Sequence, residues 1–477
     1  MIMIKKMVEG QVLVGSNDIR VESKFNAKMK LLKCCIFSLV LTVAIGAELK
    51  EEFTWTRISY DWPKSNRVAA RSYIKNSAVK PNRSSAASET IVFEGQTNSE
   101  DQDGDSQEKG DVDGSASFDY QYENNIPMGA NVWQDKLFIT VPRRRLGVPS
   151  SLNYVSLKKS KNPNRHNVPL IPYPSWEKNT YPDTSGRGDN FVSVYRVAVD
   201  TCDRLWFVDT GTVETLGNVT HAKPTTLIIM DLQTDQIIRQ YPIPEDQLRP
   251  TTGLASITLD VEKPDCEDSF AYLPDLGGYG LIVYSYRENR SWRVSHNYFF
   301  LEPLAGEFFI AGHHFQWNDG IFSAELTALK PDGFRDMYFH SMAGTHVYRV
   351  STRVLRNETL ATRSYHGNDF ENIGDKGALY QTSSADIDKS SGIMFMGLVN
   401  QNAVGCWNTM RPLNSISIVH KDPKRMIYPS DVKIYNEKVY VLSNTMPGFL
   451  YGRLNYDETN FRVWSNSITD ATEGTNC

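Results

Sequence analysis

The sequence predicts an all-β fold, a six-bladed β-propeller closed by an N-terminal strand and cross-linked by disulfides. Three observations lead there. With 23 Tyr, 21 Phe and 9 Trp in 477 residues the chain is aromatic-rich, and aromatic side chains favour strands. Short apolar cores recur along its length while helical periodicity is nearly absent. Beyond the N-terminal region the chain holds four cysteines, an even number suited to two cross-links.

The elements follow in chain order. Lys28, Lys30 and Lys33 precede the one long apolar run, at 34–46, and Ala44, Gly46 and Ala47 end it. A basic flank, about a dozen apolar residues and a small-residue exit describe a secretory signal over 29–47. The run is short of the about 20 residues that a membrane-spanning helix needs, although an uncleaved signal anchor is the alternative. Met29 then reads as the start and 1–28 as an upstream extension. Residues 48–75 carry FTWTRISYDWP at 53–63, an alternating strand pattern with no local partner, which is assigned to closing the last blade.

Residues 76–117 change character. Between 94 and 114 lie eight acids and one lysine, too little apolar surface to offset ordering entropy, so a disordered acidic insert is expected. Asp101, Asp103 and Asp105 imitate a calcium loop, but Ser106 and Val112 stand where such a loop needs Gly and Glu.

From 118 to 465 the pattern repeats six times. The cores centre on Phe138, Trp206, Ala271, Tyr338, Phe395 and Tyr440, and each follows another short apolar strand: 130–133, 197–199, 254–259, 321–326, 385–387 and 432–435. Further strands follow, as at 226–231 and 280–286. Six units of three or four strands leave edges that radial closure protects. Residues 466–477 form a C-terminal tail.

Charge excludes some functions. Lys plus Arg is 51 against Asp plus Glu of 56, a balance of −5. No basic footprint marks a nucleic-acid binder, and no membrane association is expected after signal cleavage. The 94–114 stretch alone is more acidic than the whole chain, so the net charge does not describe the propeller. An exported chain fits two disulfides among Cys202, Cys266, Cys406 and Cys477; three pairings exist, and Cys202–Cys266 with Cys406–Cys477 joins neighbouring parts of the repeat. Four glycosylation sequons, at Asn82, Asn218, Asn289 and Asn357, suit the same secreted, extracellular location.

The segments NIPMGANVWQDKLFITV (125–141), YRVAVDTCDRLWFVDTG (195–211), DKSSGIMFMGLVNQNAVGCWN (388–408) and YPSDVKIYNEKVYVLSN (428–444) resemble the insect Yellow and major royal jelly protein family. The resemblance runs from about 53 to 462, interrupted by the insert, which departs from the family's compact N-terminus. It implies a secreted six-bladed propeller. It also implies a setting in cuticle pigmentation or melanin formation, where some members convert dopachrome, some bind biogenic amines and some are nutritive.

The residues themselves contain no nucleophile elbow, zinc-protease, P-loop or dinucleotide fingerprint. His313 and His314 are adjacent and point to opposite faces of a strand, which makes joint metal ligation awkward. No metal and no cofactor is expected: a calcium set like that of six-bladed lactonases does not assemble here. Candidate polar groups lie on the innermost strands, where Asn131, Asp386 and Asp431 occupy comparable places around the funnel. They suit a small aromatic amine or catechol-like ligand, or else they satisfy strand ends. The resemblance adds Ser430 and Asn444 as hydrogen-bonding groups, with Met446 where amine binders carry an aromatic.

Three functions follow. One is a pigment-pathway protein binding a catechol- or indole-amine-like ligand in the funnel. Another is a dopachrome tautomerase or decarboxylase, with Asp431 or Asp386 as acid–base group. The third is a structural or nutritive glycoprotein, which a plugged channel would favour.

Overall fold

A computed structural model describes residues 48–63 and 120–477, apart from 182–187, 216–217 and 264. The extension at 1–28, the signal at 29–47, the acidic insert at 76–117 and Asn82 lie outside the described residues.

Six four-stranded antiparallel sheets make up the propeller. Their innermost strands are Gly129–Trp133, Val194–Val199, Thr258–Asp260, Ile321–Leu326, Thr382–Asp388 and Pro429–Tyr435. The recurrent apolar cores form the second strands, Lys136–Thr140, Arg204–Asp209, Phe270–Asp275, Asp336–Ser341, Ile393–Leu398 and Lys438–Ser443. Phe138, Trp206, Ala271, Phe395 and Val441 are fully enclosed in them. A blade is covered on both faces by its neighbours, so these strands read as continuous apolar runs instead of alternating ones.

The third blade departs from expectation. Its inner strand spans only Thr258–Asp260, whereas the apolar pattern suggested 254–259. Leu254 and Ile257 are buried as expected. The backbone just before them is held by the Asp275 carboxylate, which accepts from Gly253 N at 2.9 Å, so burial here runs ahead of ladder pairing.

The sixth blade is composite. Lys50–Trp55 lies outermost, antiparallel to Phe461–Ser467, from Lys50 opposite Ser465 to Trp55 opposite Phe461. The Trp55 indole donates to Val168 O at 2.8 Å and the Tyr60 hydroxyl to Asn125 Oδ1 at 2.7 Å, fastening this segment to the first blade as well. Cys202 is bonded to Cys266 and Cys406 to Cys477, the pairing that joins adjacent repeats.

Inner strands all start at one face of the ring, here the entry face. The loop at 141–151 rises on it, as do two hairpins, Thr212–Thr215 with Asn218–His221 and Glu307–Ile310 with His313–Gln316. The short helix Met446–Tyr451 completes the rim. On the second hairpin His314 stacks on Phe309 with centroids 4.2 Å apart, while His313 sits 6.5 Å from the Tyr451 ring.

Candidate functional site at the entry face

Arg196 decides what the axial channel can do. Its guanidinium leaves the second blade, lies 4.9 Å from the Phe322 ring of the fourth, and donates to Ser383 O of the fifth at 3.1 Å and to Ser430 O of the sixth. Its Nε lies 3.6 Å from Asp431 Oδ1. One side chain thus reaches across the axis and bridges the entry-side ends of the inner strands.

Around Arg196 lie further buried polar groups, Glu325, His340 and Lys376. Burial lifts Glu325 to about 8 and lowers Lys376 to about 8, and burial with the Lys376 and Arg196 charges holds His340 well below its ordinary value. Glu325 is therefore a neutral acid at pH 7, accepting from the Ser323 hydroxyl. Lys376 donates to Thr382 Oγ1 at 2.8 Å.

The candidate residues of the inner strands join blade to blade. Asn131 Oδ1 accepts from Val132 N at 2.7 Å, and its Nδ2 donates to Val197 O of the next blade at 3.1 Å. Asp386 accepts from Ile387 N at 2.9 Å and from Ile434 N of the next blade at 2.8 Å. Asp431 accepts from Ala130 N across the sixth-to-first junction at 3.0 Å, and from Ser384 Oγ and Lys433 Nζ at 3.0 and 2.8 Å. Ser430 and Asn444 are fully buried. Ser430 Oγ bonds Leu442 O at 3.3 Å, while Asn444 Nδ2 donates to Pro127 O at 2.8 Å and its Oδ1 accepts from Met446 N at 3.1 Å. Met446 begins the rim helix, also buried. The sixth blade gathers Ser430, Asp431, Asn444 and Met446 against the first; Asp386 and Asn131 lie elsewhere around the axis.

On the entry face, near a cluster of aromatic side chains termed the mouth below, stand two charged groups that sequence reasoning missed. Asp319 sits between the second hairpin and the fourth blade. Its carbonyl accepts from Ala343 N at 3.0 Å. The next residue must be glycine, because a Cβ on Gly320 would lie 2.3 Å from Phe299 O and 2.4 Å from Tyr279 Cδ1. The Asp319 carboxylate, half-buried, makes no hydrogen bond or ion pair among the described residues. Burial raises it from 3.8 to about 6 against the pull of Arg144.

Arg144 is presented by its neighbour. Arg143 turns inward and spends its guanidinium on five carbonyls, those of Val148, Pro149, Asn179, Phe191 and Val192, at 2.5–3.0 Å. That clamp fixes the loop, and Arg144 then projects over the mouth. Its Nη2 lies 3.4 Å from Glu214 Oε2 on the first hairpin, while its Nε is buried with no partner. The Tyr195 hydroxyl donates to Glu214 Oε1 at 3.2 Å.

Aromatic rings wall the site. Trp317 meets Tyr428 edge-on at 5.8 Å and donates from its indole to the Tyr451 hydroxyl at 2.7 Å; Phe315 stacks on Tyr451 at 4.8 Å. Tyr428 and Thr445 hold left-handed backbone, φ 49° and 53°, a strain that recurs where geometry serves a site. Burial raises Tyr428 above its ordinary range and lifts Tyr195 to about 12, so both stay protonated donors. A flat ring carrying a charged or polarised nitrogen fits such a mouth. The one signal that pointed here was Tyr428, within a family-like segment; Asp319 and Arg144 lie in connections with no counterpart in other repeats.

Known proteins resemble this chain to different degrees. A family model described as major royal jelly protein matches residues 192–477. L-dopachrome tautomerase yellow-f of Drosophila melanogaster is 41% identical over 369 residues, covering 76% of this chain and 84% of that one. Protein yellow of the same species is 41% identical over 367 residues, with 76% of this chain but only 66% of that longer one covered. Among solved structures, virginiamycin B lyase from Staphylococcus aureus aligns with a TM-score of 0.38 and 11% identity, covering 72% of this chain and 96% of that one. Among the described residues no helix is long and apolar enough to cross a membrane. The chain belongs to the Yellow and major royal jelly protein family.

Proposed function

We propose that this is an exported glycoprotein of melanin and cuticle-pigment chemistry that binds a catechol- or indole-type ring at the entry-face mouth and isomerises dopachrome there. The observation that carries the proposal is the unpaired Asp319 carboxylate, raised to about 6 within an aromatic wall. Such a group is largely ionised at neutral pH yet basic enough to accept a proton, the condition for an effective general base. The relative named as an L-dopachrome tautomerase supports the choice of reaction.

The isomerisation is balanced without oxidant or reductant. Two C–H protons leave adjacent carbons of the five-membered ring; one of the two electron pairs becomes the new C=C bond between them, the other reduces the conjugated quinone, and two protons arrive on its oxygens to leave an indole diol. Asp319 takes a proton from ring carbon, Tyr428 and Trp317 hold the ring, and solvent at the open mouth supplies protons to oxygen. Asp431 and Asp386 are committed to backbone N–H groups and serve the frame.

Purified protein is expected to bleach dopachrome faster than its spontaneous decay, and Asp319→Asn to lower kcat by about 100-fold or more. A wild-type rate equal to the spontaneous one rejects the reaction. Calorimetry with dopamine and serotonin then decides between a binder and a storage or structural glycoprotein, for which the bridging of the axis by Arg196 speaks.

A further inference from the structure

Asp319 and Arg144 feel each other's charge but form no ion pair. Each keeps capacity for an outside partner. Both Asp319 oxygens are unclaimed among the described residues, and Arg144 has an unpartnered, buried Nε beside an Nη2 only loosely engaged with Glu214 at 3.4 Å. A buried donor without an acceptor is costly in the free protein, and a guanidinium edge presenting Nε and Nη2 matches the two oxygens of a carboxylate. The opposite sign is close enough to be felt, and both charges also act on the Tyr428 and Tyr451 hydroxyls.

Resting on the reading of the mouth as an aromatic-ligand site, we propose that it selects aromatic ligands with an α-amino-acid head, Arg144 taking the carboxylate and Asp319 the nitrogen, over amines that have lost the carboxylate. An amine lacking the carboxylate leaves the Arg144 edge unsatisfied, while an acid lacking the nitrogen brings its charge towards Asp319 with nothing in between. Only the zwitterion answers both, as does the carboxylated aminochrome, whose nitrogen and carboxylate sit on adjacent atoms of one ring.

Three stable catechols separate the two contacts: L-dopa, dopamine, and 3-(3,4-dihydroxyphenyl)propionate, titrated anaerobically by calorimetry. Wild-type protein is expected to bind L-dopa about tenfold or more tightly than either of the others, the scale of one charge-assisted hydrogen bond. Arg144→Gln is expected to bring L-dopa down to the level of dopamine without weakening dopamine itself. Asp319→Asn is expected to bring it down to the level of the propionate. Dopamine under Arg144→Gln and the propionate under Asp319→Asn keep or gain affinity, which is the control for folding in each variant. Equal binding of L-dopa and dopamine by wild-type protein, or equal loss of both in Arg144→Gln, overturns the proposal. Failure of dopachrome conversion with L-dopa selectivity intact removes the isomerase reading and leaves this one standing. Conversion of dopachrome without that selectivity does the reverse.

Discussion

Asp319 and Glu325 are carboxyls raised by burial, and the sign of that shift makes separate predictions for activity and stability. A base that titrates at about 6 gives a dopachrome rate that climbs as pH rises through 6 and levels off above 7, and Asp319→Asn removes that limb. For stability, a carboxyl whose folded value exceeds its unfolded value binds its proton more tightly when folded. Its contribution is full below the unfolded value and lost as pH rises through the folded one. For Glu325 that window runs from about 4.5 to about 8. Glu325→Gln, which keeps an acceptor for the Ser323 hydroxyl, is therefore expected to match wild type near pH 4 and to exceed it by about 4 kcal/mol at pH 8. Urea unfolding at pH 4 and pH 8 checks this, and an offset independent of pH rejects it. Asp319→Asn shares the direction over a narrower window, so it gains stability while losing activity, the usual relation of a functional site to its fold.

At the scale of the element, the inner strands show how a polar residue at a funnel position becomes structural. Asn131, Asp386 and Asp431 each bind the amide of the residue that follows and a backbone group of the next blade, so the ring is stitched near its axis where the blades converge. Asp431 also holds the charges of Arg196 and Lys433. Asp431→Ala leaves two buried cations without their anion and is expected to cost about 3–5 kcal/mol, read as a fall in the urea midpoint. Asn131→Ala, a neutral loss, is expected to cost about 1–2 kcal/mol. Equal effects would mean that the charge at Asp431 plays no part.

The same elements show what was legible beforehand. Second strands and cystines could be read because a doubly covered blade demands three consecutive apolar residues, as at Leu137, Phe138 and Ile139, and because repeats set the cysteines in register. Which polar residues are left without a protein partner could not be read. Asn131 and Asp319 are both polar residues close to the start of an inner strand. What separates them is whether a neighbouring blade offers a backbone partner, and that depends on pairings a whole repeat apart, 66 residues for Asn131 and Val197. Arg144 was hidden by its company, since the run from Arg143 to Arg145 gives no hint that one guanidinium staples the loop, one faces the mouth and one lies over Phe449.

At the scale of the whole molecule, the sixth blade bears both the closure of the ring and much of the mouth. It takes its outer strand from Lys50–Trp55 and supplies Tyr428 and Tyr451. The tail beyond it, through the helix Ile468–Thr472, is fastened back to the fifth blade by Cys406–Cys477. The other cystine, Cys202–Cys266, ties the second and third blades at the face away from the mouth. The two enclose similar lengths of chain, with separations of 71 and 64 residues, so loop-closure entropy assigns them similar worth, about 4 kcal/mol each. Their removal should therefore separate stability from function. Cys202→Ser with Cys266→Ser and Cys406→Ser with Cys477→Ser are expected to lower Tm by comparable amounts. Only the second pair loosens the blade that carries Tyr428 and Tyr451, and it alone is expected to weaken L-dopa affinity severalfold and to raise amide exchange in Phe461–Ser467. Equal loss of affinity in both pairs would show that the ring transmits strain uniformly and that the mouth does not depend on its closing blade.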